Sequence, residues 1–251
     1  GDVYKRQANG EASRLMTDRR EVTCRRWRAT FLVLASLASL TWAFAGVLNP
    51  AMSQLHAFVS EYSARDQPWR YLFQTTDVIM GTLLCLAGLA TLVWARHRPL
   101  GRQGWSGVGF VAGGFFSVLD ALVTMDCSPT RSQACMAAEE AGHVSVNHVV
   151  HVGTSTIVVV GFALPILLLN STMTRFRGFG LVVTWAWVVF TLLNGIGAVG
   201  WFVGTPMDYT GIWQRFSLGL GTLWWLILAA DDIVTARVQD RALLLSSLTR
   251  S

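Results

Sequence analysis

Six stretches of roughly twenty apolar residues, separated by short polar segments, set the pattern of this chain. They cover about 29–48, 71–95, 104–125, 148–169, 180–203 and 213–230. A helix rises 1.5 Å per residue, so about twenty residues span a hydrocarbon core of ~30 Å. The pattern predicts an all-α protein, a bundle of six transmembrane helices. The first polar loop, residues 49–70, is punctuated by Pro50 and Pro68, and Trp69 and Tyr71 suit the membrane interface. Gly109 and Gly113 in the third stretch have the small-xxx-small spacing that lets a neighbouring helix approach closely. Pro165 is placed to kink the fourth helix. The most polar connection carries DCSPTRSQACMAAEEAGHVSVNHVVH, which begins at Asp126 and runs into the fourth helix.

Composition agrees. Of 251 residues, 52% are hydrophobic and 14% charged, against about 25% charged in soluble domains. The length suffices for one membrane domain with no separate soluble one. The net charge of +5 does not argue for nucleic acid, because its distribution follows the topology. Fourteen arginines lie in a basic N-terminal segment (8–28), the second–third and fourth–fifth connections and a C-terminal tail (236–251); the opposite side has Arg65, Arg70, Arg131 and Arg215. The positive-inside rule then places both termini in the cytoplasm, leaves 29–235 as the membrane domain, and puts the Asp126–Asn147 loop outside. Residues 1–7 are set apart. Asp2–Gln7 spell DVYKRQ, the translation of a transposon end used in sequencing-library preparation, and Lys5 is the only lysine. They are expected to be an artefact.

Candidate chemistry concentrates at the outer side. Cys127 and Cys135, with seven residues between them that include Pro129, are expected to form a disulfide, since Cys24 is on the inner side and Cys85 lies within a helix. Asp77 and Asp120 each fall about six residues inside the membrane from the outer ends of helices two and three, roughly 9 Å deep. His148 and His151 share one face at the start of helix four, and Thr154 and Ser155 continue it. Charges at that depth are costly toward lipid, so these side chains are expected to turn inward around a pocket open to the outside. Three readings of it stay open: Asp–His pairs that fix helix packing, a ligand or ion site, or a zinc site built from His148, His151 and Asp120. A catalytic zinc would need that third ligand from Asp120, Asp77 or His143. Glu61, Arg65 and Asp66 are either ordinary solvated charges or a cover for the pocket. Asn194 reads as an interhelical hydrogen-bonding group. Asp231 and Asp232 read as solvated, or paired with Arg237.

The runs SEYSARDQPWRYLFQTTDVIMG, LDALVTMDCSP and HVSVNHVVH resemble the bacterial six-helix membrane proteins known as domain of unknown function 998 (DUF998), over roughly residues 30–235. The resemblance implies a Ser-Glu element at Ser60 and Glu61, an Asp at Asp77, acidic residues at Asp120 and Asp126, and a His at His148 or His151. It also implies the bacterial plasma membrane. The layout is similar to the Frag1/DRAM/Sfk1 proteins at the level of fold alone. A likeness to transmembrane hydrolases of the ceramidase and adiponectin-receptor type is weakened by the six helices and by a last helix without histidine. The expected function is binding or sensing of a small polar or lipidic ligand at an outer pocket of Asp77, Asp120, His148, His151, Glu61 and Ser60, with membrane lipids as partners. A zinc-dependent lipid hydrolase is the alternative, and a small-molecule transporter is third. Neither a complete catalytic constellation nor a nucleotide motif is present.

Overall fold

The structure is a computed structural model that describes residues 2–96, 101–202 and 209–248. Its helices are α1 (Asp2–Ser39), α2 (Ala45–Leu48), α3 (Arg70–Ala95), α4 (Arg102–Leu122), α5 (Gln133–Glu140), α6 (Val146–Leu169), α7 (Arg177–Phe202) and α8 (Thr210–Leu248). A 3₁₀ stretch, Leu40–Phe44, joins α1 to α2, so that Met16–Leu48 forms one span. With α3, α4, α6, α7 and α8 it makes six segments long and apolar enough to cross a membrane, and the protein is a multi-pass membrane protein.

The expected boundaries hold in the middle of the chain and change at its ends. Helix continues without a break through the basic segment 8–28, and α8 runs on to Leu248 through most of the expected tail. The last three residues, like Gly1, lie outside the described part. At the outer side, α4 stops at Leu122, and the short helix α5 occupies the loop before α6. Ser132 and Ser145 cap α5 and α6, their side chains accepting from the N–H groups of Cys135 and His148.

Each spanning helix packs against its neighbour in sequence, and α8 closes back on α1. Among the described residues, the exception is α6 with α7, which scarcely approach each other. Glycines set the closest contacts. A Cβ on Gly81 of α3 would meet the Gly114 carbonyl of α4 at 2.6 Å, and one on Gly109 of α4 would meet the Gly161 carbonyl of α6 at 2.7 Å. The Gly109/Gly113 pair therefore does pack a neighbour, and that neighbour is α6.

Apolar side chains fill the bundle unevenly. The main core lies toward the inner side, with Leu32, Leu84, Phe110, Phe162, Ile166, Leu169, Trp187, Trp224 and Trp225 among its members. A second, smaller cluster of Ala45, Met52, Ala57, Tyr62 and Phe73 lies under the first outer loop. Between the two clusters, in the outer half of α3, α4 and α6, stand the polar side chains Asp77, Asp120, His151, Thr154 and Ser155.

The inner end is locked by charge. Asp232 of α8 is fully buried and accepts from Arg28 Nε at 2.6 Å and Nη2 at 2.7 Å, and from Arg25 Nη1 at 2.9 Å. Trp94 of α3 lies beneath both guanidinium groups, 4.5 Å and 5.3 Å from its ring centre. Asp231, also buried, accepts from the N–H groups of Thr174, Arg175 and Phe176, the turn that opens α7. The reading of these two aspartates as solvated or paired with Arg237 is thus replaced: one ties α8 to α1, the other ties α8 to α7. Asn170 strengthens the second tie by donating to Thr184 (2.7 Å) and accepting from Trp224 Nε1 (3.1 Å).

Removing Asp232 would leave buried Arg28 without a carboxylate and Arg25 with Glu21 alone, whereas the Arg26–Asp240 pair is exposed. Asp232→Ala is expected to cost about 3–5 kcal/mol of stability. Asp240→Ala should cost less than about 1 kcal/mol. Unfolding of the two variants in detergent, side by side, measures the contrast.

Candidate functional site

The disulfide between Cys127 and Cys135 forms as expected, with the Cα atoms 6.0 Å apart. It closes the turn that receives Glu61. Glu61 is fully buried and accepts hydrogen bonds from the Ser128 hydroxyl, the Thr130 hydroxyl (2.5 Å), the Thr130 N–H (3.1 Å) and the Phe58 N–H (2.8 Å). Burial pushes its carboxyl above the ordinary range, and the hydrogen bonds oppose that push. Glu61 is therefore neither a solvated charge nor a wall of the pocket. It clamps the first outer loop to the disulfide loop. Ser60 contributes its carbonyl, which accepts from Ser63.

Tyr62, beside it, anchors the loop to α8. Its hydroxyl meets Arg215 Nη2 at 3.1 Å and Gln54 Nε2 at 2.5 Å, and Arg215 also donates to the Ala57 carbonyl at 2.8 Å. The outer loops thus form one hydrogen-bonded cap.

The two histidines part company. His148 belongs to the loop junction. Its Nδ1 accepts from the Asp126 N–H at 3.3 Å, which leaves its proton on Nε2, 3.8 Å from Glu139. Asp126 in turn accepts from the N–H (2.6 Å) and hydroxyl of Ser145, and Arg65 lies 3.3 Å away. Partial burial would raise the Asp126 carboxyl, but the Ser145 bonds and the charge of Arg65 outweigh it and hold the group below its usual range.

His151 sits deeper. Its Nδ1 faces three acceptors: the Val123 carbonyl (3.0 Å), the Asp120 carbonyl (3.2 Å) and Asp120 Oδ1 (3.2 Å). Nδ1 therefore carries the proton, and the imidazole caps the C-terminal end of α4. Because α4 ends at Leu122, Asp120 lies in its last turn, shallower than its expected depth. Thr154 and Ser155, one turn on from His151, both donate to Asp120 Oδ1, the latter at 2.9 Å. The polar face read along α6 is thus a single hydrogen-bonded unit around Asp120.

Asp77 completes the group from α3. The Gly81–Gly114 contact brings this part of α3 alongside the end of α4. Asp77 shares a face with buried Phe73, Gly81 and Leu84, opposite the lipid-facing Ile79 and Leu86. It nevertheless keeps partial exposure. Among the described residues it has no hydrogen-bond partner.

The structure accordingly brings Asp77, Asp120 and His151 together, with Thr154 and Ser155. It assigns His148, Glu61 and Ser60 to the cap. That division corrects the zinc set of His148, His151 and Asp120. His148 presents N–H rather than a lone pair at Nε2, and among the described residues no three His, Cys, Asp or Glu side chains are placed to hold a metal ion. The Nε2 atoms of both histidines are buried without a hydrogen-bond partner; with its proton on Nδ1, that of His151 presents a lone pair.

Two outcomes follow for the cap. Glu61→Ala leaves buried hydroxyl and N–H donors unpaired and should cost about 3 kcal/mol, read as a lower unfolding temperature. The depressed Asp126 carboxyl contributes stability that is present above the ordinary carboxylate range, near pH 4. That contribution is lost as pH falls through the lower folded value. An acid titration of unfolding temperature should show this loss in the wild type, and Asp126→Asn should remove that part of the slope.

Comparison with known proteins gives one match: the family model described as "Protein of unknown function (DUF998)" covers residues 32–231. No curated protein and no solved structure matches the chain.

Proposed function

The chain belongs to the DUF998 family, and we propose that it binds a small polar or lipid-headgroup ligand in an outward-opening recess. The recess is formed by Asp77, Asp120 and His151, with Thr154 and Ser155 behind them. The observation that carries this reading is Asp77. The other intramembrane carboxylates of the bundle, Asp120, Asp231 and Asp232, are each met by donors. Asp77 is not, yet it faces inward at a depth of ~10 Å from the start of α3, where an uncompensated charge is costly. A side chain placed there without a partner is suited to receive one from a ligand.

His151 supports the reading in a second way. Its Nδ1 proton is committed to α4, which holds the ring in one orientation, and its buried Nε2 is left to accept a hydrogen bond. The ordered cap, clamped by Glu61 and Tyr62, gives the recess a fixed rim. The arginine excess on the opposite side supports an orientation with the recess away from the cytoplasm, in the bacterial plasma membrane.

Thermal unfolding of the purified protein across a panel of headgroup-bearing lipids and their water-soluble headgroups tests the proposal. At least one class should raise the unfolding temperature. Asp77→Asn should raise the half-saturating concentration about tenfold, the loss of one charge-assisted contact. His148→Gln, which alters the cap junction, should leave that concentration within about twofold. A flat response of the wild type to every compound would sink the proposal.

A further inference from the structure

The seam between α6 and α7 has a consequence for the kind of ligand. These two helices are pinned together at the inner end by Asn170, Thr184 and Trp224, and by the Asp231 cap on the turn between them. Inner side chains of both, such as Ile166 and Trp187, share the main core. Farther out they separate, while every other pair of sequential spanning helices remains packed.

The walls of the separation can be read from the helix faces. On α7 one flank carries Phe190, which stacks on Phe216 of α8 with ring centres 4.7 Å apart. The opposite flank carries Val188, Gly195 and Val199, and a Cβ on Gly195 would meet nothing within 4 Å. On α6 the face bearing Gly161 and Pro165 packs on α4. The flank turned the other way carries Val152, Val159 and Ala163. Val159 and Val199 remain 38% and 61% exposed. The seam is therefore apolar along its length and open to the hydrocarbon. At its outer end, on the same helix α6, stand His151, Thr154 and Ser155 with Asp120 and Asp77.

An apolar seam whose outer end lies on the helix that holds the Asp120 carboxylate matches an amphiphile whose head carries a positive charge. Resting on the recess as the binding site, we propose that the ligand is a membrane lipid with an ammonium headgroup, which enters sideways from the outer leaflet through the α6–α7 seam. Its acyl chain lies between Val159 and the Val188–Gly195–Val199 flank. Its ammonium donates to Asp77, whose carboxylate has no other donor among the described residues. A hydroxyl or a further N–H of the head is within the chemistry that the His151 Nε2 and the Ser155 oxygen, both acceptors here, can meet. An anionic head without the ammonium would set like charges beside Asp77 and Asp120 and is disfavoured.

The test uses the full chain in detergent, with phosphatidylethanolamine, N-acetylated phosphatidylethanolamine, phosphatidylglycerol and water-soluble glycerophosphoethanolamine as probes. Unfolding temperature is followed through each titration. Phosphatidylethanolamine should stabilise the protein at a concentration at least tenfold below that needed for the N-acetylated lipid or phosphatidylglycerol. Gly195→Trp, which fills the seam where space is open, should weaken the lipid at least tenfold while leaving glycerophosphoethanolamine within about twofold. Val159→Trp on the facing wall should do the same and serves if Gly195→Trp folds poorly; Leu86→Trp, on the lipid face of α3, is the control. Equal stabilisation by all three lipids would overturn the ammonium assignment. Undiminished lipid binding in the seam variants would overturn lateral entry. Stabilisation by glycerophosphoethanolamine alone would overturn the lipid while leaving the recess as a binding site, and no stabilisation by any probe would overturn the lipid and count against the recess with it.

Discussion

A charge inside a membrane bundle must find its partner within the protein, because neither lipid nor a dry interior will solvate it. That constraint organises this structure at both ends. Asp232 holds Arg25 and Arg28 against Trp94, and so binds α8, α1 and α3 together. Asp231 fastens α8 to the turn before α7. Glu61 gathers the disulfide loop, and Asp120 gathers the polar face of α6. Each buried carboxylate also serves as a joint between elements far apart in sequence. Asp77 follows a different rule: among the described residues no hydrogen-bond donor meets it.

Glycine explains how the polar groups reach each other. α4 presents glycines to α3 on one side and to α6 on the other, so three helices approach closely. Asp77, Asp120 and His151 project from their outer ends. Large aromatic side chains then fill the inner part of the bundle, where Trp224 and Phe110 are fully buried. The dense inner core, the glycine-tight α3–α4–α6 wedge and the hydrogen-bonded cap leave a polar region between them. The α6–α7 separation gives that region a side facing the hydrocarbon. The positions implied by resemblance to DUF998 divide accordingly. Asp77, Asp120 and His151 lie toward the outer ends of α3, α4 and α6, while Ser60, Glu61, Asp126 and His148 belong to the hydrogen-bonded cap.

Much of this was legible in the chain. Span number and helical class followed from hydropathy alone, and the arginine distribution oriented the spans. Cys127 and Cys135 paired because no other cysteine shares their side of the membrane. Thr154 and Ser155 were found with His151 because an α-helix puts positions three and four apart on one face. These inferences rest on composition and on local periodicity, which a single chain displays directly.

What tertiary structure decided is which face meets which. Nothing near Asp232 in sequence marks Arg25 and Arg28 as its partners, since the contact depends on the rotation and offset of two helices about two hundred residues apart. The same holds for Glu61, whose acidic run reads as solvated until the disulfide loop folds over it. His148 and His151 look equivalent at i and i+3, but α4 ends between their levels, so one caps its carbonyls and the other joins the loop. The separation of α6 from α7 has no trace in their sequences, because lipid-facing and seam-facing positions are equally apolar. Sequence thus determined that the chain crosses the membrane six times and which residues must avoid lipid. Packing determined their partners, because periodicity assigns a side chain to a face but leaves the neighbour of that face to the whole bundle.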